Sequence, residues 1–422
     1  MSNGRRLFGA ALVYTISNAF GAGVPILLLP LLTRVLTPAE YGVVGMFGVA
    51  VAVLAAFTGL SSLGAINVRY FAPERFDLRR YVASCLAILL ASSAAALLFA
   101  WLLLPWLEAW IHVPGRWILV AVGVAAAQFV VQVQLVLWQS AQRPWSYFGL
   151  RAGQATFDAT FSLMFVVALG LAWQGRLGSI ALAAGLSVVV ALVLLGRGGW
   201  LSHRPRRDHV VDALRFGVPL IPHTIGSMLV LMADRVLISN VLDVASAGIY
   251  LVAMQLGMVL GLLTDAANKA FAPWLMGSLN QSDAARNRRI VRFTYFCFAG
   301  LAVVALLFAW IAPWLLSWLV GPKYHAAGPV MGYIAMGFAF GGMYYMVTNY
   351  VFFAGRTAGL ALITFAAGLF NVGITYLLLK QNGVTGAAQG FMLSQAATFL
   401  GTWWLAQKSH PMPWRRCLEP AT

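Results

Sequence analysis

Five ionisable residues interrupt stretches that are otherwise apolar: Asp158, Asp234, Arg235, Asp265 and Lys269. A charge at the centre of a bilayer-spanning helix costs about 2.5–3.5 kcal/mol on insertion scales, so such groups turn toward protein or a wet cavity. A carboxyl group in that setting can take up and release a proton, as an ion-driven carrier requires. Asp158, Asp234 and Asp265 are therefore the candidate ion-coupling residues. Plain structural readings stand beside these. Asp265 and Lys269 are spaced i, i+4 with the acid first, which suits an intrahelical ion pair as well as a ligand role. Adjacent Asp234 and Arg235 diverge by about 100° around a helix and cannot point the same way. Arg235 is also close enough to a helix end to snorkel.

A cationic side chain can hold a diphosphate through charge-assisted hydrogen bonds, while amides and aromatic rings suit a glycan. On those grounds Arg235, Lys269, Arg69, Arg151, Asn18 and Tyr345 are the candidate substrate-binding residues. Gln128, Gln132, Gln255, Asn268, Asn349, Gln389, Gln395, Tyr333, Tyr344 and Tyr350 have the same chemistry, although interhelical hydrogen bonding accounts equally for any one of them. His223 and His325 stand alone and read as structural.

The elements that must position these groups follow from composition. The chain has 422 residues, 61% hydrophobic and 9% charged, with a mean hydropathy of +0.82, far from an ordinary soluble domain. It reads as an all-α polytopic membrane protein. Apolar segments near 8–32, 41–66, 81–104, 117–139, 150–172, 177–196, 213–240, 245–274, 293–320, 328–353, 358–379 and 384–406 predict twelve transmembrane helices. Little chain is left for a soluble catalytic domain. The first segment follows Arg5 and Arg6 but lacks a convincing small-residue cleavage site, so it reads as a retained helix. Cys85, Cys297 and Cys417 lie far apart, which removes disulfide and zinc chemistry; no cofactor is expected.

The net charge of +16 would suggest nucleic acid in a soluble protein, but here its placement is what counts. With the N-terminus inside, most of the 28 Lys and Arg residues fall in alternate segments on one side, leaving Arg34, Arg116, Arg176, Lys323 and Lys380 on the other. That asymmetry predicts cytoplasmic N- and C-termini in a bacterial inner membrane, and no nucleic-acid partner. The break RGGWLSHRPRRDH at 197–209 divides the chain. It yields an N-terminal six-helix lobe (1–196), a basic linker touching anionic lipid (197–212), a C-terminal lobe (213–406) and a tail (407–422).

The halves resemble each other. VLTPAEYG (35–42) aligns with VLDVASAG (241–248), AQRPW (141–145) with AGRTA (354–358), FD (157–158) with FN (370–371), and GRLG (175–178) with GVTG (383–386). Near-equal offsets, about 206 to 213 residues, argue for a duplicated six-helix unit of parallel type. Two similar lobes suit an alternating-access carrier. Gly21, Gly23, Pro25 and Pro30 in the first helix, and Gly217, Pro219, Pro222 and Gly226 in the seventh, predict interrupted helices that mark a transport site or only packing kinks.

LPLLTRVLTPAEYG (29–42) resembles the opening signature of the polysaccharide-transport flippases, including O-antigen flippases, of the multidrug, oligosaccharidyl-lipid and polysaccharide exporter superfamily. ADRVLISNVLDVASAGIYLVAMQL (233–256) is similar to that family's helix 7 to 8 segment, with Asp234, Gly248, Tyr250 and Pro273 in typical places. The resemblance implies a MATE-like V of two lobes. It also implies a flippase moving an undecaprenyl-diphosphate-linked oligosaccharide, an O-antigen or exopolysaccharide repeat unit, from inner to outer leaflet. A basic cavity, coupling to a proton or sodium ion or to the membrane potential, and a polysaccharide polymerase as working partner come with it. Arg34 matches the signature's basic residue, in a structural or a substrate-contacting role. Lipid II flippases of the superfamily usually carry two further helices, which weakens a peptidoglycan precursor as substrate. The alternatives are a multidrug exporter, whose cationic substrates favour an acidic cavity, and a membrane polymerase or ligase, for which the outer segment near 105–116 is short.

Overall fold

The computed structural model describes residues 2–72, 74–201, 204–279 and 283–414. Arg415, Arg416 and Cys417 lie outside the described residues, as do the side chains of Arg5, Arg6 and His223. Among the described residues the regular structure is helical.

Two compact units divide at Ile225 and Gly226. The first holds α1 (Ser2–Val35), α2 (Pro38–Phe57), α3 (Leu63–Tyr70), α4 (Leu78–Leu102), α5 (Leu104–Ile111), α6 (Gly115–Ser140), α7 (Pro144–Ser162), α8 (Ala172–Arg197) and α9 (Arg207–Gly217). α10 (Ile221–Val241) begins at its edge. The second continues with α11 (Val244–Leu279), α12 (Ala284–Leu319), α13 (Gly328–Phe353) and α14 (Thr357–Ser409).

Among the described residues ten helices are long and apolar enough to cross a bilayer, against the twelve segments expected. The difference has two physical causes. α7 carries Arg151, Gln154 and Asp158, so it is too polar to count, and it continues as a π-helix over Leu163–Ala168. α14 runs as one element through two expected segments, but Gly383 (φ 58°, ψ −143°) breaks it, a conformation that side chains on L-residues exclude. The segment expected over 41–66 is also divided. Gly59, Leu60 and Ser61 all take positive φ between α2 and α3.

Local chemistry explains the recurrent signature. In TPAEYG, Thr37 and Glu40 form a capping box: the Glu40 amide donates to Thr37 Oγ1 at 3.3 Å and the Thr37 amide to Glu40 Oε2 at 2.8 Å, with Pro38 in the first turn. At the aligned place in the second unit, Asp243 Oδ1 accepts from the Ser246 amide at 2.7 Å ahead of α11. The motif starts a helix. A further repeat lies at PWLEAW (105–110) and PWLLSW (313–318). Trp106 stacks on Trp110 at 5.3 Å and Trp314 on Trp318 at 6.2 Å, all four largely exposed, as interfacial indoles are.

Of the helices expected to be interrupted, α1 runs α-helical through Pro25 and Pro30, whereas a 3₁₀ turn over Val218–Leu220, carrying Pro219, separates α9 from α10. The first half of α9 falls within the basic stretch read as linker and the rest within the segment expected over 213–240, and α9 packs on α3 and α4. Arg69 Nε and Nη2 each donate to the Asp212 carboxylate at 3.0 Å, the Tyr81 hydroxyl donates to it at 2.8 Å, and the Arg69 guanidinium lies 4.7 Å from the Phe76 ring centre. The core of the first unit centres on α6, with Val131, Val133 and Leu135 buried against Tyr81, Cys85 and Ala191. The second unit's core gathers Val347, Tyr350, Phe399 and Trp414.

Candidate functional site

Within the first unit, α1, α6, α7 and α8 enclose a cavity of about 380 Å³ whose wall is unusually polar for a membrane helix bundle. Its polar lining is Gln128 and Gln132 from α6, Arg151, Gln154 and Asp158 from α7, and Arg176 from α8. The spacing 151, 154, 158 is i, i+3, i+7, so one face of α7 presents all three. α1 supplies Gly21, Val24 and Pro25. It is held on α7 by Tyr147, whose hydroxyl donates to Asn18 Oδ1 at 2.9 Å and whose ring meets Tyr14 edge-on at 5.0 Å.

Asp158 and Arg176 form a two-pronged pair. Arg176 Nη1 reaches Asp158 Oδ1 at 2.6 Å and Nη2 reaches Oδ2 at 3.1 Å, with the Arg176 side chain 7% and the Asp158 side chain 21% exposed. Arg176 Nη1 also donates to Ser162 Oγ, which is 2.9 Å from Ser179 Oγ. Parallel guanidinium-to-carboxylate bonds fix both partners and leave little charge exposed. Arg151 is different. It lines the same cavity half-buried, and its Nε is enclosed with no hydrogen-bond partner among the described residues. Two guanidiniums against one carboxylate give the cavity a net positive charge. The π-helix that begins directly after Ser162 is a backbone irregularity that recurs near functional sites.

The other candidates are placed elsewhere. Arg69 is spent on Asp212 at the end of the first unit where α3 and α9 meet. Burial pushes the Asp212 carboxyl up, but the hydrogen bonds from Arg69 and Tyr81 outweigh it and hold the group below the ordinary carboxylate range. Arg34 is exposed in the last turn of α1. In the second unit Asp234 is fully buried and accepts from the Tyr250 hydroxyl and, at 3.2 Å, from the Arg235 amide. Arg235 is half-buried, and its Nε has no hydrogen-bond partner among the described residues. Asp265 and Lys269 make the i, i+4 ion pair at 2.7 Å, both nearly half exposed. Tyr345 is partly exposed beside Tyr344, at 5.7 Å between ring centres.

The structure thus brings Arg151 and Asp158 together with Gln128 and Gln132, and leaves Asn18 one step outside as a helix-docking contact. Two participants were not singled out from sequence. Gln154 was legible, since it shares the face of Arg151 and Asp158. Arg176 sits beyond a turn and at the start of an apolar run, so a count of outer-side charges absorbed it. His325 lies in a short 3₁₀ turn, Pro322–Ala327. Among the described residues no group of His, Cys, Asp and Glu side chains could hold a metal ion.

Known proteins agree with the helical architecture. "Lsg locus putative protein 1" of Haemophilus influenzae is 24% identical over 365 residues, 83% of this chain and 86% of the relative. The solved structure "Lipid II flippase MurJ, inward closed conformation" superposes with a TM-score of 0.72 at 11% identity, covering 95% of this chain and 87% of that one. An inward-facing multidrug resistance MATE family transporter of the MOP superfamily gives 0.65 at 13% identity, with 93% and 94% covered. The fold is that of these multi-pass membrane transporters. The family model described as "Polysaccharide biosynthesis protein" matches residues 9–279. That match over more than half the sequence means that the chain belongs to the polysaccharide biosynthesis protein family.

Proposed function

We propose that the protein is a flippase that carries an undecaprenyl-diphosphate-linked oligosaccharide, an O-antigen or exopolysaccharide repeat unit, from the inner to the outer leaflet of a bacterial inner membrane by alternating access. The observation that carries this reading is the net positive cavity of the first unit, where Arg151 has no carboxylate of its own among the described residues while Asp158 is committed to Arg176. An unneutralised guanidinium attracts a diphosphate and repels the cationic substrates of a drug exporter. Gln128, Gln132 and Gln154 offer amide donors and acceptors to glycan hydroxyls. Family membership and the transporter fold support the substrate class and the absence of bond-making chemistry in this chain.

Energy coupling to a proton or sodium gradient falls to a buried acid. Of the three candidates, Asp158 and Asp265 are in direct ion pairs, whereas Asp234 hydrogen-bonds to the Tyr250 hydroxyl and the Arg235 amide, with the Arg235 charge close enough to act on it. Asp234 is the acid we assign to it. Termini in the cytoplasm, and hand-over of product to a polymerase at the outer face, complete the scheme.

The test is reconstitution in vesicles with a fluorescent polyprenyl-diphosphate oligosaccharide, reading its accessibility to an external quencher as proton and sodium gradients are imposed in turn. Arg151→Gln should lower the rate about ten- to a hundred-fold, the equivalent of one charged hydrogen bond of about 1.5–3 kcal/mol. Uptake of a cationic dye with no movement of the glycolipid would replace this reading with the drug exporter.

A further inference from the structure

The first unit contains a second polar cavity that the transport scheme does not use. It has a volume of about 400 Å³, within the range of small-molecule sites, and lies where α3, α6 and α8 end. Arg143 and Arg197 line it, with Trp138, Trp200 and Tyr70 supplying aromatic surface and Gln134 the floor. A third guanidinium is close by: a Cβ added to Gly199 would stand 3.5 Å from Arg79 Nη1. Among the described residues no acidic side chain lines the cavity.

Gln134 marks the cavity as a built site. It is only 3% exposed, and its Oε1 has no hydrogen-bond partner among the described residues. An enclosed amide oxygen without a donor costs about 1–3 kcal/mol, a penalty that a bound hydroxyl removes. The cations are not needed to satisfy the helix ends. Leu137, Trp138 and Gln139 carbonyls accept the amides of Ala141, Arg143 and Gln142, and Leu194, Leu195 and Gly196 carbonyls accept those of Gly198, Trp200 and Gly199. Among the described residues neither Arg143 nor Arg197 has an ion-pair partner.

A ligand that completes this set bears a phosphate for the guanidiniums and a hydroxyl for the amide oxygen. Leu137 and Leu194 add apolar surface beside them, and both lie in helices that span the bilayer. We infer that the pocket formed by Gln134, Arg143 and Arg197 binds the headgroup of an anionic lipid whose phosphate ester carries a free hydroxyl, with phosphatidylglycerol as its simplest representative. Basic pockets between helix ends at a membrane surface commonly take such headgroups. The site is independent of the Arg151 cavity, so it stands or falls apart from the flippase reading.

Native mass spectrometry of the full chain in detergent, after delipidation, tests the inference with phosphatidylglycerol, phosphatidic acid and phosphatidylcholine added in turn. Phosphatidylglycerol should bind best, and Arg143→Gln with Arg197→Gln should weaken it at least about ten-fold, the loss of one charged hydrogen bond. Gln134→Leu should erase the preference for phosphatidylglycerol over phosphatidic acid while leaving phosphatidic acid bound. That variant removes an unsatisfied buried group, so thermal unfolding should show it to be at least as stable as the parent, which separates lost binding from lost fold. Equal binding of phosphatidylcholine, or an unchanged constant in the double arginine variant, would overturn the site. Equal occupancy by glycerol 1-phosphate without acyl chains would assign the pocket to a soluble ester and overturn the lipid.

Discussion

The two compact units carry similar helix caps and tryptophan pairs, yet they line opposite kinds of space. The first holds a cavity walled by Arg151, Arg176, Asp158 and three glutamines. The second holds a groove of about 730 Å³ walled by Phe271, Trp274, Phe293, Cys297 and Met346, with Thr264 and Asn268 among its few polar groups. Aligned positions account for part of the contrast. Asp158 corresponds to Asn371, which is buried and donates from Nδ2 to the Leu229 carbonyl at 2.9 Å, and Arg176 corresponds to Val384. Ser162 corresponds to Thr375, whose hydroxyl donates to Asn371 Oδ1 at 3.3 Å. One copy has an ion pair where the other has a neutral hydrogen bond and a methyl-bearing side chain. Charge is present or absent as a matched set, because an unpartnered charge in that environment is far costlier than either arrangement.

The largest expected effect breaks that match. Asp158→Ala leaves Arg176 buried and uncompensated and should destabilise the first unit by about 3–5 kcal/mol, read as a fall in the detergent unfolding temperature. Asp158→Asn combined with Arg176→Val installs the second unit's pair and should recover most of the loss. If the double variant is as unstable as the single, the two positions are not equivalent and the comparison fails. A smaller effect examines what the copies share. Thr37→Ala and Asp243→Ala each remove a helix cap and should each cost about 1 kcal/mol; unequal costs would show that the caps have diverged too.

The smallest effect concerns a contact found in the first unit, the docking of α9 through Arg69 and Asp212. Because the folded Asp212 carboxyl lies below its usual range, its contribution is fully present above about pH 4, its unfolded value, and is lost as pH falls through the folded one. Protease cleavage within α9 should therefore stay slow at neutral pH and accelerate only in stronger acid. Asp212→Asn should abolish that pH dependence, and a variant with the same acid profile as the parent would remove Asp212 from the latch.

Much of this architecture is legible in sequence because bilayer helices announce themselves by length and apolarity, and because the caps that start α2 and α11 use short polar residues at a fixed spacing. Where reading the sequence stops short, the physics is specific. The π-helical continuation of α7 over Leu163–Ala168 has no signature in composition. α9 reads as linker since its burial depends on a single face meeting α3 and α4. The Asp158 to Arg176 pair joins residues on two helices across a turn, and no periodicity connects them. Gln154, and the PWLEAW and PWLLSW pair, were within reach: the first by helical spacing, the second at the same offset that relates GRLG to GVTG.

The twin indole ledges bear on how this protein is seated. Trp106 with Trp110 and Trp314 with Trp318 are rigid amphipathic plates that prefer the headgroup zone to either water or oil. Each unit thus carries its own float line, so a bilayer of altered thickness would strain both units at the same kind of anchor.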